Sequence, residues 1–402
     1  MEGGAAAELV FAASGPIRLA MTESKSTELD ALRAELDRID RELIERAAER
    51  QRVVSEIGRI KKSAGRGLRD FRRERQVLDG VRTRAAEVGL DPDLAETLLT
   101  SLIEASLTRQ EIERVAASGR GEGRTAIVVG GLGRMGDWMA RFLAEQGWRV
   151  VVADPAVAEP DALAVRNLDE APADADLVVL AAPIQASADL LDALIDRGTE
   201  ALVLDLASVK GPLIGPLKRA AEAGLRVASV HPMFGPDTRL LAGRHVLFMD
   251  CGRADTVAEA RGLFAETMAD CVDVPLDAHD ALMAWVLGLS HATNLVFADA
   301  VAGSGRAPDE LAEIASTTFG RQLAIASDVT HENPALYFEI QRLNPDQATV
   351  LEALRRSVER LIGAVEQGDA DAFAARMTAA AQWVEGHQRA RRRRTHPEDS
   401  ES

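Results

Sequence analysis

The sequence predicts a multidomain protein with an all-α domain, then an α/β domain built on a doubly wound sheet, then a second all-α domain. Three observations predict this order. An apolar stripe with helical spacing runs through the N-terminal part, short apolar runs alternate with helical stretches in the middle, and the last part shows helical periodicity without a strand signal. A chain of 402 residues is too long for one ordinary core, which agrees with two or three domains.

The expected boundaries follow from changes in composition along the chain. A polar, glycine-rich stretch precedes the α/β domain, and an arginine-rich run followed by acidic residues ends the chain as a solvated tail. The first residues form an extension, or alternatively precede a start at Met21. We expect, in chain order, a disordered extension (1–26), a helical domain (27–117), a linker (118–123), an α/β domain (124–276), a helical domain (277–389) and a disordered tail (390–402).

Composition excludes several classes of protein. The formal net charge of −17 disfavours a general binder of nucleic acid or of anionic membranes, because both need a positive surface. We find no apolar run of the roughly 20 residues that a membrane span requires, and no basic signal-peptide start. The two cysteines, Cys251 and Cys271, have no metal-ligand spacing and are too few for a disulfide framework. We therefore expect a cytoplasmic protein with reduced thiols, no metal, and neither a nucleic-acid nor a membrane partner.

The first domain opens with a very long predicted helix. Thr27 and Asp30 form a capping box that predicts its start, and the helical pattern stops after Ser63. A second helix is predicted to begin near Asp70, and a third follows the turn at 89–92. The apolar positions of the first helix recur at steps of three and four and so form one stripe: Leu29, Leu32, Leu36, Ile39 and Leu43.

The middle domain is predicted from short apolar runs that alternate with helical stretches. Such alternation is typical of parallel strands joined by crossover helices. Six runs are predicted to be strands: 126–129, 149–153, 177–181, 202–206, 226–230 and 246–249.

A glycine motif follows the first of these strands. Residues 131–136 read G-x-G-x-x-G, open a helical stretch and precede a second strand that ends at Asp154. This context predicts a Rossmann-like dinucleotide site, in which Gly131 permits the tight turn, Gly133 lets the backbone approach a pyrophosphate, and Gly136 lets helix and strand pack closely. Met135 lies inside the motif and is assigned to the same site. Because Asp154 can accept from ribose hydroxyls and repels a 2′-phosphate, the predicted cofactor is NAD rather than NADP.

Two further strand ends carry polar side chains. The strand at 202–206 runs into Ser208, and the strand at 226–230 runs into His231. Ligands of doubly wound sheets bind beyond the carboxyl ends of the strands, and neighbouring strands would place these two side chains together. A serine hydrolase is disfavoured because Ser208 lacks the G-x-S-x-G elbow.

The last domain is predicted to be helical and to bind a second copy of the chain. Its clearest apolar stripe needs a partner, for which a two-fold dimer interface is the natural choice. The stripe consists of Val350, Leu351, Leu354, Val358, Leu361 and Val365.

From about Arg124 to Arg389 the sequence resembles the prephenate dehydrogenases, through the stretches 205–210 (DLASVK) and 231–237 (HPMFGPD) and their spacing from the glycine motif. The resemblance implies that His231 binds the C4 hydroxyl of prephenate and accepts its proton as hydride leaves for NAD. It also implies that Ser208 orients His231 and the nicotinamide. His291 and Arg321 match positions that line the substrate pocket, with Arg321 on a carboxylate, and Asp237 matches an acidic position at the pocket mouth.

The first domain resembles the helical chorismate mutases, so that the chain as a whole resembles the bifunctional chorismate mutase/prephenate dehydrogenases. On the residues alone, the arginines beside the apolar stripe read as a solvated helix face. The resemblance implies instead a site for chorismate, in which Lys61 and Gln110 contact the ether oxygen and Glu74 contacts the ring hydroxyl. The matching positions are Arg33, Arg50, Lys61, Asp70, Arg73, Glu74, Ser106 and Gln110.

Helix geometry predicts that this first site needs two chains. Arg50 and Lys61 lie on one helix face, about 16 Å apart along the axis. Arg33 lies about 25 Å from Arg50 along the same helix, too far to share its pocket. An antiparallel second chain could supply Arg33, so we expect a homodimer with composite sites.

Two alternatives remain open on the sequence. The first domain could serve only dimerisation or regulation, without catalysis. The dehydrogenase could also prefer arogenate, the amino counterpart of prephenate, because the sequence does not decide which side-chain group the pocket accepts.

Overall fold

The computed structural model describes residues 15–63 and 71–395. The chain divides into two compact units after Gln110. The first unit is helical, and the second contains one eight-stranded sheet with helices on both faces and a set of helices after it. The predicted fold class is confirmed: along the sequence, one helical region precedes the Rossmann-like sheet and another follows it.

The first unit is built from α1 (Gly15–Ser63), α2 (Phe71–Val88) and α3 (Pro92–Ala116) up to Gln110. The predicted end of α1 at Ser63 is confirmed, but the capping box at Thr27 is not its start, because the helix already begins at Gly15. Residues 15–26 are therefore helical and not a disordered extension, while residues 1–14 lie outside the described part of the chain.

The apolar stripe of α1 lies largely exposed within a single chain. Leu32 and Leu43 are 63% and 62% exposed, and Leu29, Leu36 and Ile39 are also exposed. Burial of such a stripe is the main driving force for packing an amphipathic helix. The stripe is thus available to a further helical surface, as the sequence predicts for a two-chain site.

The sheet of the second unit has the strand order β3-β2-β1-β4-β5-β6-β7-β8. All six predicted runs are strands. Neighbouring strands are parallel except for the antiparallel pair β6 and β7. Two strands were not predicted, because β3 has only two residues and β8 carries an aspartate at each end. The strands are β1 Thr125–Val129, β2 Arg149–Ala153, β3 Ala164–Val165, β4 Leu177–Leu180, β5 Leu202–Asp205, β6 Arg226–Pro232, β7 His245–Asp250 and β8 Asp270–Asp273.

Both faces of the sheet are covered, which explains why its strands read as continuous apolar runs rather than alternating ones. In β1, Ile127 and Val129 face one apolar core while Ala126 and Val128 face the other. The helices that accompany the sheet are α4 Arg134–Glu145, α5 Ile184–Arg197, α6 Gly211–Glu222 and α7 Ala254–Gly262.

The predicted linker is a turn packed within the second unit. The Gly121 amide donates to the Gln146 carbonyl at 2.9 Å, and a Cβ on Gly121 would overlap the backbone of Trp148. Val115, in the last turn of α3, is buried in the core that contains Trp138 and Phe142. These contacts place the division between the units earlier than the polar composition of 118–123 suggested.

The remaining helices form the rest of the second unit: α8 His279–Met283, α9 Leu289–Ala302, α10 Pro308–Glu313, α11 Thr317–Thr330, α12 Pro334–Leu343, α13 Gln347–Glu366 and α14 Ala370–Thr395. No strand occurs between 279 and 395, as predicted. The C-terminal tail expected from 390 is helical as far as Thr395.

The stretch Leu276–Ala302, which runs through α8, a π turn and α9, is long and apolar enough by length and composition to cross a membrane. The expectation that no run reaches this length is therefore wrong by this measure. Apolar helices that pack against other parts of a protein share this length and composition. In α13, Val350 is buried while Leu351, Val358, Leu361 and Val365 are exposed, which leaves most of the predicted dimer stripe uncovered within one chain.

Candidate functional site

The glycine loop after β1 has a backbone conformation and a close packing that require glycine. Gly130 adopts φ +77°, and a Cβ at this position would lie 2.7 Å from the Ala181 carbonyl oxygen. The tight turn therefore depends on Gly130, one residue before the predicted Gly131. Gly131 is needed for another reason, since its Cβ would lie 2.7 Å from the Val152 side chain. Only glycine adopts such a positive φ without steric cost.

The loop leads directly into α4, whose N-terminus has no side-chain cap. Gly133 is the N-cap of α4, and a Cβ on Gly136 would overlap the Gly130 carbonyl, so the helix lies against the turn as predicted. The Asp154 carboxylate accepts from the Leu132 amide at 3.1 Å and from the Ala156 amide at 2.9 Å. Backbone donors at a helix N-terminus next to an acid at the second strand end fit the pyrophosphate and ribose of a dinucleotide.

His231 lies in β6, buried and 3% exposed, with its Nδ1 atom 2.9 Å from His279 Nε2. His279 Nδ1 in turn lies 2.7 Å from Asp280 Oδ1. Burial lowers the pKa of His231 well below its ordinary value, and the neighbouring His279 and Lys210 lower it further. His231 is therefore neutral at neutral pH and able to accept a proton.

The neighbouring strands β5 and β6 are paired, as the prediction for Ser208 and His231 required. Ser208 is half-buried, and the hydrogen bonds of the described residues include none between it and His231. The histidine is held by His279 instead, so the predicted orienting role of Ser208 is not observed. Its contact with the nicotinamide stays a prediction.

An ion pair lies completely buried behind the histidine. Lys210 Nζ lies 2.6 Å from Asp205 Oδ1 and donates to the Val230 carbonyl at 3.1 Å. Both side chains have 0% exposure, and Asp205 Oδ2 has no protein partner. A buried pair of this kind fixes the geometry of the two strands, since breaking it would leave an uncompensated charge in the core.

Arg134, inside the glycine motif, connects three segments of the second unit. Its guanidinium lies 2.8 Å from the Asp237 carboxylate and 2.5 Å from the Glu332 carboxylate. Asp237 is thereby placed beside the dinucleotide loop, and its position at the mouth of a substrate pocket stays a prediction. Glu332 precedes α12, which carries Tyr337.

His291 stacks on Tyr337, with ring centroids 4.4 Å apart. Burial lowers the pKa of His291, and its Nδ1 atom is buried without a protein partner. Arg321 on α11 is exposed within one chain. The structure thus shows His291 half-buried against Tyr337, while its predicted place in the substrate pocket and the carboxylate contact of Arg321 stay predictions.

In the first unit, three predicted residues meet on the seam between α1 and α3. Arg50 Nη1 lies 3.3 Å from Ser106 Oγ, and Gln110 Nε2 donates to the Val54 carbonyl at 2.9 Å. Ser106 Oγ also donates to Gln51 Oε1 at 2.6 Å. Arg50 and Gln110 thus each bridge α1 and α3, and a guanidinium and a side-chain amide are groups that can bind a carboxylate and an ether oxygen.

The other predicted residues of this unit are distributed differently. Arg33 is exposed and lies 3.4 Å from Asp30 on the same helix. Lys61 and Glu74 are half-buried and Arg73 is exposed. Asp70 lies outside the described residues.

Several residues of these sites were missed by sequence reasoning. His279, Asp280 and Gln51 follow no motif, and only the fold brings them to His231 or Ser106. The sequence could have identified Gly130 as a turn residue, because this glycine directly precedes Gly131, the first glycine of the motif. Arg134 lay inside the motif but was not assigned a role.

Comparisons with known families cover most of the chain. Residues 32–111 match the model of chorismate mutase type II. Residues 140–271 match the nucleotide-binding domain of prephenate dehydrogenase, and residues 275–379 match the dimerization domain of the same enzyme.

Individual relatives agree with this order of domains. A T-protein of Enterobacter agglomerans is 29% identical over 365 residues, which cover 90% of this chain and 94% of the relative. A 4-amino-4-deoxyprephenate dehydrogenase of Streptomyces pristinaespiralis is 32% identical over 266 residues, which cover 62% of this chain and 87% of the relative. The crystal structure of a prephenate dehydrogenase from A. aeolicus with hydroxyphenyl propionate and NAD+ has a TM-score of 0.53 at 18% identity, covering 66% of this chain and 98% of that one.

Proposed function

The chain belongs to the prephenate dehydrogenase family and carries a chorismate mutase type II domain ahead of it, and we propose that it catalyses two successive reactions of tyrosine biosynthesis. It rearranges chorismate to prephenate and then converts prephenate, with NAD, to 4-hydroxyphenylpyruvate and carbon dioxide. The observation that carries this proposal is that one chain holds a guanidinium and a side-chain amide on the seam of a helical unit as well as a buried neutral histidine in a dinucleotide-binding unit.

The mutase reaction needs no nucleophile and no proton transfer. A pericyclic rearrangement is accelerated by holding the compact conformer and by placing positive charge where the ether oxygen gains electron density. Arg50, oriented by Ser106 and the Leu102 carbonyl, supplies a fixed cation for a carboxylate. Gln110, fixed by the Val54 carbonyl, keeps a second amide N–H for the ether oxygen.

The remaining assignments in the mutase site are part of the same proposal. Lys61 contacts a carboxylate and the ether oxygen, and Glu74 takes the ring hydroxyl. Arg33, Asp70 and Arg73 complete the binding of substrate. Arg33 comes from the partner chain, because the unbroken α1 keeps it about 25 Å from Arg50.

In the dehydrogenase site, bound NAD supplies the hydride acceptor. His231 accepts the proton of the C4 hydroxyl as the C4 hydride leaves, which forms the carbonyl. The ring carboxylate then departs as carbon dioxide, and its electron pair makes the ring aromatic and moves the carbonyl electrons onto the C4 oxygen. This oxygen takes back the proton from His231, which gives the phenol of 4-hydroxyphenylpyruvate and the neutral histidine. A buried, neutral imidazole suits this step, because proton acceptance requires the unprotonated form at working pH. Ser208 contacts the nicotinamide, and His291, Arg321 and Asp237 contact prephenate.

The residues of the glycine loop would hold the NAD. The first turn of α4, with Gly133 at the N-cap, binds the pyrophosphate, and Asp154 accepts from the ribose hydroxyls. Gly131, Met135 and Gly136 complete the loop. The proposed assembly is a homodimer in the cytoplasm, supported by the uncovered apolar stripes of α1 and α13 and by the match to a dimerization domain.

Steady-state kinetics on the purified full-length chain test the proposal. We expect mutase activity with chorismate, and NAD reduction with prephenate that exceeds NAD reduction with arogenate or with 4-amino-4-deoxyprephenate. NAD reduction only with an amino-substituted substrate, in a chain without mutase activity, would establish the alternative in which the first unit serves dimerisation or regulation.

A further inference from the structure

Three buried side chains form a hydrogen-bonded series that ends at His231. His231 Nδ1 lies 2.9 Å from His279 Nε2, and His279 Nδ1 lies 2.7 Å from Asp280 Oδ1. His279 has 0% exposure and Asp280 has 4% exposure, so water does not compete for these contacts. The three side chains come from β6 and from the start of α8, which brings His279 across to the end of the strand.

Asp280 is held as a carboxylate by donors that surround it. Its Oδ1 accepts from the Lys210 amide at 2.8 Å, and its Oδ2 accepts from the Gly211 amide at 2.6 Å. Burial alone would raise the pKa of Asp280, but hydrogen bonds from His279 and from the two backbone amides lower it below its ordinary value. Asn344 also donates to the Asp280 backbone carbonyl at 2.8 Å, which fixes the turn.

The Asp280 carboxylate determines which ring nitrogen carries the proton in His279 and in His231. An ionised carboxylate only accepts hydrogen bonds, so His279 must carry its proton on Nδ1. Burial lowers the pKa of His279, which leaves this ring neutral and its Nε2 without a proton. His279 Nε2 is then a hydrogen-bond acceptor. The His231 atom that faces it is Nδ1, so His231 must carry its proton on Nδ1 and donate it to this contact. The remaining nitrogen of His231, Nε2, keeps its lone pair.

The charged groups around His231 reinforce this arrangement. The Lys210 ammonium lies on the Asp205 carboxylate and the Val230 carbonyl, and its charge disfavours protonation of His231. His279 acts in the same sense, while Asp280 is separated from His231 by the His279 ring.

We propose that His279 and Asp280 are positioning residues that hold His231 in its Nδ1–H tautomer and thereby leave Nε2 as the atom that accepts the proton of the substrate hydroxyl. This inference rests on the dehydrogenase function proposed above. An Asp–His contact that sets the tautomer of a catalytic base has a large kinetic effect in serine proteases, where its loss leaves the geometry intact but puts the proton on the wrong nitrogen.

The first test is spectroscopic and needs no turnover. Histidine labelled with ¹⁵N distinguishes a protonated ring nitrogen from a bare one, and the His231 signals are identified by their loss in His231→Asn. We expect the wild type at neutral pH to show Nδ1 protonated and Nε2 bare. A His231 that carries its proton on Nε2 would overturn the inference even if the enzyme is fully active. Conversely, a chain without dehydrogenase activity but with the expected tautomer would refute only the proposed function.

The second test asks whether His279 acts as a hydrogen-bond acceptor for His231 or only fills the space beside it. His279→Leu removes the acceptor, and we expect kcat with prephenate to fall at least about 10-fold, but by less than the 10²–10⁴-fold associated with a general base itself. The KM values should stay near those of the wild type, because an interaction lost mainly in the transition state lowers kcat and kcat/KM together. His279→Gln, whose amide oxygen can accept from His231 Nδ1, should restore most of kcat.

Two controls make the outcome decisive. His245→Ala removes an exposed histidine of β7 and should leave kcat unchanged. NAD affinity, measured by titration, reports whether each variant still folds. A wild-type kcat in His279→Leu would overturn the inference, and if that variant loses NAD binding, the wild-type ¹⁵N spectrum decides alone.

Discussion

The helical first unit and the sheet-containing second unit differ in where their chemical groups lie. In the first unit, Arg33 and the stripe around Leu32 and Leu43 are exposed, and Arg50 is half-buried beside the buried Ser106. In the second unit, His231 and His279 are buried and hydrogen-bonded to each other within one chain.

This difference follows from the two reactions that we propose. A pericyclic rearrangement needs fixed charges around a compact substrate, and arginines stay charged whether they are exposed or not. Such a site can be assembled from two copies of the chain. Proton acceptance by an imidazole depends on its ionisation and tautomer, and both are controlled by burial within one fold.

The largest expected effect separates the two units. His231→Asn should reduce dehydrogenase turnover by about 10²–10⁴-fold, because it removes the base. Mutase activity and NAD binding should survive, since neither uses this side chain. Both activities and the NAD dissociation constant are measured on the same preparation. Near-normal dehydrogenase turnover in this variant would exclude His231 from the mechanism.

Complementation tests whether the first unit needs two chains. Arg33→Ala and Arg50→Ala homodimers should both lack mutase activity. In a mixed dimer with composite sites, one pocket carries both lesions and the other carries neither, so activity should return to about half per mixed dimer by symmetry. If each pocket is built from one chain, mixing restores nothing. Differently tagged chains must first show that subunits exchange. If no mutase activity appears after exchange has been shown, the composite site is refuted.

Asp154 should determine the choice of cofactor in the second unit. Asp154→Ser replaces a charged acceptor, and hydrogen bonds to charged groups contribute about 1.5–3 kcal/mol. We therefore expect the KM for NAD to rise about 10-fold or more and the discrimination against NADP to decrease. Glu159→Gln, which removes an exposed acid from the following loop, should change neither KM. Equal use of NAD and NADP by the wild type would contradict the role of Asp154.

Gly136→Ala tests the close packing of the glycine loop. The added Cβ overlaps the Gly130 carbonyl, and overpacking of this kind costs about 1–3 kcal/mol. All four tryptophans lie in the second unit, so urea unfolding followed by tryptophan fluorescence reports on that unit alone. Gly363→Ala, in the interior of α13, meets only a Gln367 atom at 3.7 Å and should be neutral or stabilising. Equal unfolding curves for the two variants would show that the loop accommodates a Cβ at position 136 without steric overlap.

The smallest expected effect is a shift on the pH axis. Burial, then His279 and Lys210, lower the pKa of His231 below 6.5. The neutral base persists above this lowered pKa, so kcat/KM should fall with decreasing pH only at a midpoint below 6.5. The same groups make folding less favourable as pH falls from 6.5 toward the lowered value, because the unfolded histidine binds the proton first. Initial rates from pH 5 to 8 measure the midpoint, and a midpoint at or above 6.5 would contradict the burial argument.

Particular elements show how far the sequence reached. The six apolar runs, the end of α1 and the glycine-to-Asp154 spacing were predictable, because strand length, helical period and turn chemistry are local properties. The start of α1 and the linker were not. The capping residues at 27 and 30 are overridden inside a longer helix, and the polar stretch at 118–123 packs because Gly121 fits against Trp148.

By itself, the sequence determined the order of domains, the identity of the glycine loop and the residues that match the two families, since each of these is encoded in nearby residues. Only the tertiary structure decided which group holds His231. Ser208 follows the neighbouring strand and was the natural candidate, whereas His279 lies 48 positions away and reaches Nδ1 through the start of α8. A tautomer depends on hydrogen-bond partners in space, and such partners follow from the packing of distant segments rather than from any local pattern.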